Sequence, residues 1–184
     1  MLIGGIIIVG ALALMVFLIT IYNKLVRCRN MVAEGWSGID VQLKRRANLI
    51  PNLIETVKGY VGHETKLLNQ VTELRSQSKS TRAVAEKSQI ETALTHSLGN
   101  LVAVAEAYPD LKANQNFLDL QDELAQIEND IQMARRYYNG TVRDLNILIE
   151  SFPSNLIADR FGFRPAEFFE IEVSRERQVP AVNF

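Results

Sequence analysis

The stretch "QLKRRANLIPNLIETVKGY", residues 42–60, places a proline inside a segment that otherwise has the periodicity of one amphipathic helix. Whether Pro51 divides that helix decides the architecture. Heptad position a falls on Trp36, Leu43, Ile50, Val57, Glu64 and Val71, and position d on Ile39, Arg46, Leu53, Tyr60, Leu67 and Leu74. Ten of these twelve are apolar, and the register passes Pro51 without a slip. If Pro51 opened a new helix, Ile50 would be its N-cap, and isoleucine offers no side-chain acceptor to the free amides of a first turn. The pattern therefore predicts one long helix over 24–79 with a kink at Pro51. The proline removes the amide that would bond the Ala47 carbonyl and crowds that carbonyl, at a cost of roughly 3 kcal/mol in an ordinary helix interior. Packing around the bend has to offset it.

The same register leaves Arg46 and Glu64 on the apolar seam. They stand eighteen residues apart, roughly 27 Å along one helix, so they cannot pair within it. They form either a buried partner-contact device or, as the favoured reading, an exposed edge from which both reach water.

N-terminal to this helix, Leu2 to Ile21 carry no charge. As a helix they extend about 30 Å, the thickness of a bilayer core. The run is too long for a signal-peptide core and has neither a basic leader nor a small-residue cleavage site, so residues 1–23 read as an uncleaved transmembrane anchor in the lipid bilayer. Tyr22 suits the membrane interface. Lys24, Arg27 and Arg29 follow at once, and the positive-inside rule then places the N-terminus outside and the C-terminal domain in the cytoplasm.

Further along, a second helix is expected over 81–106, capped by Ser80, with Ile90, Leu94, Leu98, Leu101 and Ala105 on its apolar face. A turn around Pro109 and Asp110 separates it from a third helix over 116–152. The seam of that helix is Phe117, Leu124, Ile131, Tyr138, Leu145 and Phe152 beside Leu120, Ile127, Ala134, Thr141 and Leu148. Short connections favour antiparallel neighbours, giving an all-α bundle over 24–152. Residues 153–184 read as short helical turns and an extended tail, Ser154 capping a helix that Gly162 ends and Pro165 opening another turn.

Three blocks carry a resemblance: "YNKLV" (22–26), "GWSGIDVQLKRRANLIPNLIETVKGY" (35–60) and "ESFPSNLIADRFGFRPAEFFE" (150–170). Together they resemble the LemA family of bacterial membrane proteins over nearly the whole chain. The resemblance implies a single N-terminal span followed by a mainly helical bundle, with the proline in a long helix. It supplies no catalytic residue.

Chemistry is sparse elsewhere too. Twenty basic and twenty-one acidic residues in near balance argue against a nucleic-acid partner. The single cysteine, Cys28, cannot form an internal disulfide or a cysteine zinc site. His63 and His96 lack helical metal-ligand spacing, Asp119, Asp122 and Glu123 read as a solvated face, and no phosphate-binding glycine motif occurs. No enzyme activity, metal or cofactor is expected. The C-terminal phenylalanines Phe161, Phe163, Phe168 and Phe169, with Phe152, form either a lid on the bundle or an anchor for a partner. Helix lengths point to assembly: the short second helix leaves Trp36, Ile39, Leu145 and Leu148 without an expected partner inside the chain, so they are the candidate homo-oligomer interface. The function expected is a self-associating, membrane-anchored scaffold. The alternative is an adaptor presenting its helical surface and Phe-rich end to a membrane protease, transporter or signalling partner.

Overall fold

Hydrophobic periodicity near 3.6 along almost every segment leaves helix as the only regular structure among the described residues. The computed structural model describes residues 2–61 and 65–170. It contains α1 (Leu2–Lys58), α2 (Thr65–Ser80), α3 (Val84–Ala105), α4 (Pro109–Lys112), α5 (Gln115–Glu150) and α6 (Ser154–Arg160). The protein is all-α, an apolar N-terminal helix continuing into an antiparallel bundle of long helices with a short Phe-rich helical segment after it. The chain forms two compact units, one built from Met1–Asp40 and Gln132–Phe168, the other from Val41–Ile131 together with Phe169 and Glu170.

In the second unit, α1 continues helically through Pro51 and ends at Lys58, where Gly59 and Tyr60 form a turn. The expected single helix over 24–79 is thus two helices. The interruption lies between Lys58 and Thr65, and α2 folds back so that Arg75 reaches Ala47. An apolar register maintained on both sides of a reversal looks continuous in sequence, because each arm of the hairpin faces the same core. Pro51 itself is exposed on α1. The carbonyl it deprives, that of Ala47, accepts a hydrogen bond from Arg75 Nε at 2.6 Å. That donor from α2 replaces the missing amide and offsets part of the proline's cost.

The core of this unit holds Leu43, Ile50, Leu53, Val57, Leu68, Val71, Leu94, Leu98, Leu101, Phe117, Leu124 and Ile127. Arg46 lies among them, 1% exposed, which corrects the reading of an exposed edge. Its guanidinium donates to the carboxylates of Glu91 on α3 and Glu128 on α5, and to Thr95 Oγ1 at 2.7 Å. Ser78 of α2 donates to the other oxygen of Glu91. One cation therefore connects four helices. Glu64 and His63 lie outside the described residues. Between α3 and α5 the expected turn contains α4, whose Pro109 takes the first helical position and whose Leu111 is fully buried. The N-cap of α3 is Ala83; Ser80 instead ends α2.

In the first unit α1 and α5 approach closely at Gly35. A β-carbon there would stand 3.1 Å from Tyr138 Cα and 3.4 Å from Thr141 Oγ1, whereas one on Gly38 would meet nothing within 4 Å. Removing a helix glycine gains about 0.8–1.0 kcal/mol over a purely helical background, and overpacking against backbone costs about 1–3 kcal/mol. Gly38→Ala is expected to stabilise the protein by up to about 1 kcal/mol and Gly35→Ala to destabilise it by about as much. Urea unfolding followed by circular dichroism checks both; equal shifts of the same sign would remove the close approach as the reason for Gly35.

Candidate functional site at the membrane-proximal end

The N-terminal part of α1 is long and apolar enough to cross a membrane, and its side chains from Ile3 to Ile19 are largely exposed. Ile21 and Leu25 begin the packed part of the same helix. Leu25 is fully buried in a cluster with Leu145 and Ile149 of α5, Ile157 and Ala158 of α6, and Phe163. Here the helical phase of α1 puts Ile21, Leu25, Cys28 and Val32 on the side facing the cluster. Lys24 and Arg27 on its other faces are exposed, as is Arg29 at the edge of the packed side.

The turn after α6 is set by Gly162, which adopts φ 72°. The amide of Gly162 bonds the Asp159 carbonyl at 3.3 Å and that of Phe163 bonds the Ala158 carbonyl at 2.9 Å, the paired bonds of a Schellman ending. This aims Phe163 into the cluster beside Ala158. Ser154 begins α6 but does not cap it; its hydroxyl donates back to the Ser151 carbonyl at 3.0 Å. Beyond Gly162 the described chain contains no further helix, so Pro165 does not open one. The extended segment is held on α5 by polar bonds: Asn146 Nδ2 donates to the Ala166 carbonyl at 3.0 Å while its Oδ1 accepts from the Ala166 amide at 2.9 Å, and the Tyr138 hydroxyl donates to the Glu167 carbonyl at 2.8 Å. Burial, reinforced by the negative charge of Glu167, raises the Tyr138 phenol above its ordinary value.

The phenylalanines separate into two groups. Phe163 and Phe169 are buried, as a lid requires, whereas Phe161 is 61% and Phe152 80% exposed, with Phe168 between them. Tyr22 meets both Phe161 and Phe163 edge-on, with ring centroids 4.9 and 5.9 Å apart. The Arg29 guanidinium lies over Phe163, 5.3 Å from the ring centre. The basic flank thus serves the fold as well as the solvent. Cys28 is half-buried, and burial raises its thiol above the ordinary range, which leaves little thiolate for nucleophilic chemistry.

The expected oligomer-interface residues have partners within the chain. Leu145 is 3% exposed and Ile39 fully buried; Leu148 packs against the cluster, and the Trp36 ring packs at a tilt against Tyr138 with ring centroids 5.5 Å apart. The premise that these four lack an intramolecular partner is therefore corrected. α5 runs beside the membrane-proximal part of α1, and the short α3 was not its only available neighbour. The spacing places Arg46 on the seam but does not name its partners Glu91, Glu128 and Thr95, and it does not mark Asn146. Asn146 stands beside the seam of α5 rather than on it, so the apolar spacing carries no signal for it.

Among the described residues no group of three His, Cys, Asp or Glu side chains is gathered to hold a metal ion. Residues 35–184 match the model of the LemA family. The chain belongs to the LemA family. It is 29% identical over 153 residues to Protein LemA of Metamycoplasma hominis, covering 80% of this chain and 68% of that relative. Magnetosome protein MamQ 2 of Paramagnetospirillum magneticum is 22% identical over 192 residues, 89% of this chain and 71% of its own length. Magnetosome protein MamQ of Magnetospirillum gryphiswaldense is also 22% identical, over 190 residues, 88% and 70% of the two chains. This LemA-family chain has an apolar helix consistent with a membrane anchor, and its relatives point to a membrane-associated protein.

Proposed function

We propose that this protein is a non-catalytic, membrane-anchored helical scaffold of the bacterial inner membrane whose copies associate side by side. The observation that carries this reading is the exposed apolar row on α5: Met133, Tyr137 and Ile147 are 55%, 48% and 53% exposed. At 100° per residue they lie within one sector of the helix. Gly140 and the exposed Asp144 share that sector, and we read this mixed surface as the one over which copies meet. The row replaces Trp36, Ile39, Leu145 and Leu148 as the surface for association. Within the first unit, the apolar span passes into the packed part of α1 with no intervening linker, which suits a structural element better than a tethered catalyst. Lys24, Arg27 and Arg29 support a cytoplasmic domain and an outside N-terminus.

Native mass of the full chain in mild detergent tests association. The wild type is expected to be oligomeric, and Tyr137→Glu with Ile147→Glu is expected to reduce it to monomers without loss of helical signal. A wild type that stays monomeric over a wide concentration range would sink the scaffold reading and favour an adaptor that uses the same row for another membrane protein. For orientation, Ser37→Cys in a Cys28→Ser background should react with an impermeant maleimide only after cells are opened, since Ser37 is exposed on α1. Labelling in intact cells would reverse the topology.

A further inference from the structure

We propose that the groove between α1 and α6 holds an acyl chain of a bilayer phospholipid, with the lipid phosphate at Arg160 and the Phe152–Phe161 turn immersed in the interfacial layer. The proposal rests on the membrane-anchor reading of α1. The groove has a volume of about 470 Å³ and an almost wholly apolar lining that includes Leu18, Ile19, Tyr22, Leu156 and Phe161, with Arg160 at the same site. Leu18 and Ile19 belong to the apolar run that ends at Ile21, three residues before the first charge at Lys24. At 1.5 Å per residue, Leu18 lies only about 4.5 Å from the end of that run. Whatever packs beside Leu18 and Tyr22 is therefore at the boundary of hydrocarbon and headgroups when the run spans the bilayer.

α6 is fixed at that level. Ile157 and Ala158 are buried against Leu25, and Phe161 meets Tyr22 edge-on, so the helix cannot lift away without opening the cluster. It nevertheless leaves Phe152, Leu156 and Phe161 exposed at 80%, 61% and 61%. In water these would form an uncovered apolar patch; in the interfacial layer acyl chains cover them. The groove joins Leu156 and Phe161 of the patch to Leu18 and Ile19 of the apolar run, which favours lipid over a soluble partner. Arg160 is exposed at the end of α6, and Lys24 and Arg27 lie one to two helical turns beyond the run. That ordering, apolar groove first and cations next, matches a phospholipid with its chain toward the bilayer centre and its phosphate outward.

The test uses the full chain in phosphatidylcholine vesicles containing a lipid brominated on its acyl chain. Trp36, the only tryptophan, is replaced by phenylalanine, and a single tryptophan reporter is introduced as Leu156→Trp or, in the span, as Met15→Trp. Both reporters are expected to lose most of their emission to the bromolipid, and Arg160→Glu is expected to weaken quenching at position 156 while leaving position 15 unchanged. Quenching at 15 with none at 156 would overturn the groove proposal and leave the anchor intact. Failure at both positions would overturn the anchor reading itself. Blue-shifted emission at 156 that ignores bromolipid but follows the protein-to-lipid ratio would assign the patch to a second copy of the chain, which also refutes the proposal. Circular dichroism of each variant confirms that it is folded before quenching is compared.

Discussion

Arg46→Met is expected to destabilise the bundle by about 3–5 kcal/mol, the range for removing one partner of a buried ion pair. Methionine fills much of the arginine's volume, so little of this loss comes from a cavity. It comes from Glu91, whose carboxylate is left buried on α3 without its guanidinium partner, while Ser78 still donates to it. Glu128 contributes less, since its side chain is a quarter exposed and can turn to water. The second half of the experiment separates charge from packing. Arg46→Met with Glu91→Leu is expected to recover most of the loss, because an apolar replacement of both partners removes the desolvation of two charges. Urea unfolding of the full chain in mild detergent, followed by circular dichroism, measures both. A loss under about 1 kcal/mol for the single variant would mean that Arg46 reaches water and does not connect the four helices.

The second large effect concerns Pro51 and Arg75 as a pair. Pro51→Ala returns an amide to the Ala47 carbonyl and removes the ring's crowding, and is expected to stabilise α1 by about 1–2 kcal/mol after the entropy the proline removes from the unfolded chain is subtracted. Arg75→Met in the natural background leaves that carbonyl, on a residue 3% exposed, without its donor. The expected cost is about 1–3 kcal/mol. In the Pro51→Ala background the same change is expected to cost well under 1 kcal/mol, since the carbonyl already has its helical partner. The double-mutant cycle therefore predicts a coupling of about 1–2 kcal/mol. Additive effects would show that Arg75 does not compensate for the proline.

These two features mark the limit of what the sequence disclosed. The helical class, the long apolar helix over Leu2–Ile21 and the end of α6 at Gly162 followed from local signals: periodicity, absence of charge, and a residue that tolerates positive φ. Survival of the helix at Pro51 followed from the register across it. The break between Lys58 and Thr65 did not, because a hairpin whose arms face one core preserves the apolar spacing on both sides. Nor did Arg46 disclose its burial. Its partners Glu91 and Glu128 lie 45 and 82 residues away, and their phase relative to Arg46 is set by packing rather than by spacing along the chain. The neighbours of Trp36 and Leu145 are not legible in the sequence for the same kind of reason: helix length limits what can be covered, but tertiary pairing decides which helix does the covering. At the candidate lipid site the phenylalanines were visible as a cluster. Their division into Phe163 inside and Phe152 and Phe161 outside depends on the three-dimensional course of α6.

Uninterrupted passage of α1 from its apolar run into the packed unit has a mechanical consequence. A span that is longer or shorter than the surrounding hydrocarbon relieves the mismatch partly by changing its tilt. With no hinge between Ile21 and Asp40, that tilt is carried outward along a lever of about 28 Å. A ten-degree change, well inside the ordinary range of roughly 0–40° for spans, displaces its far end by about 5 Å, enough to move α5's exposed row relative to a fixed neighbour. On the proposed anchor reading, bilayer thickness is thereby converted into position, without any ligand and without any change in the fold.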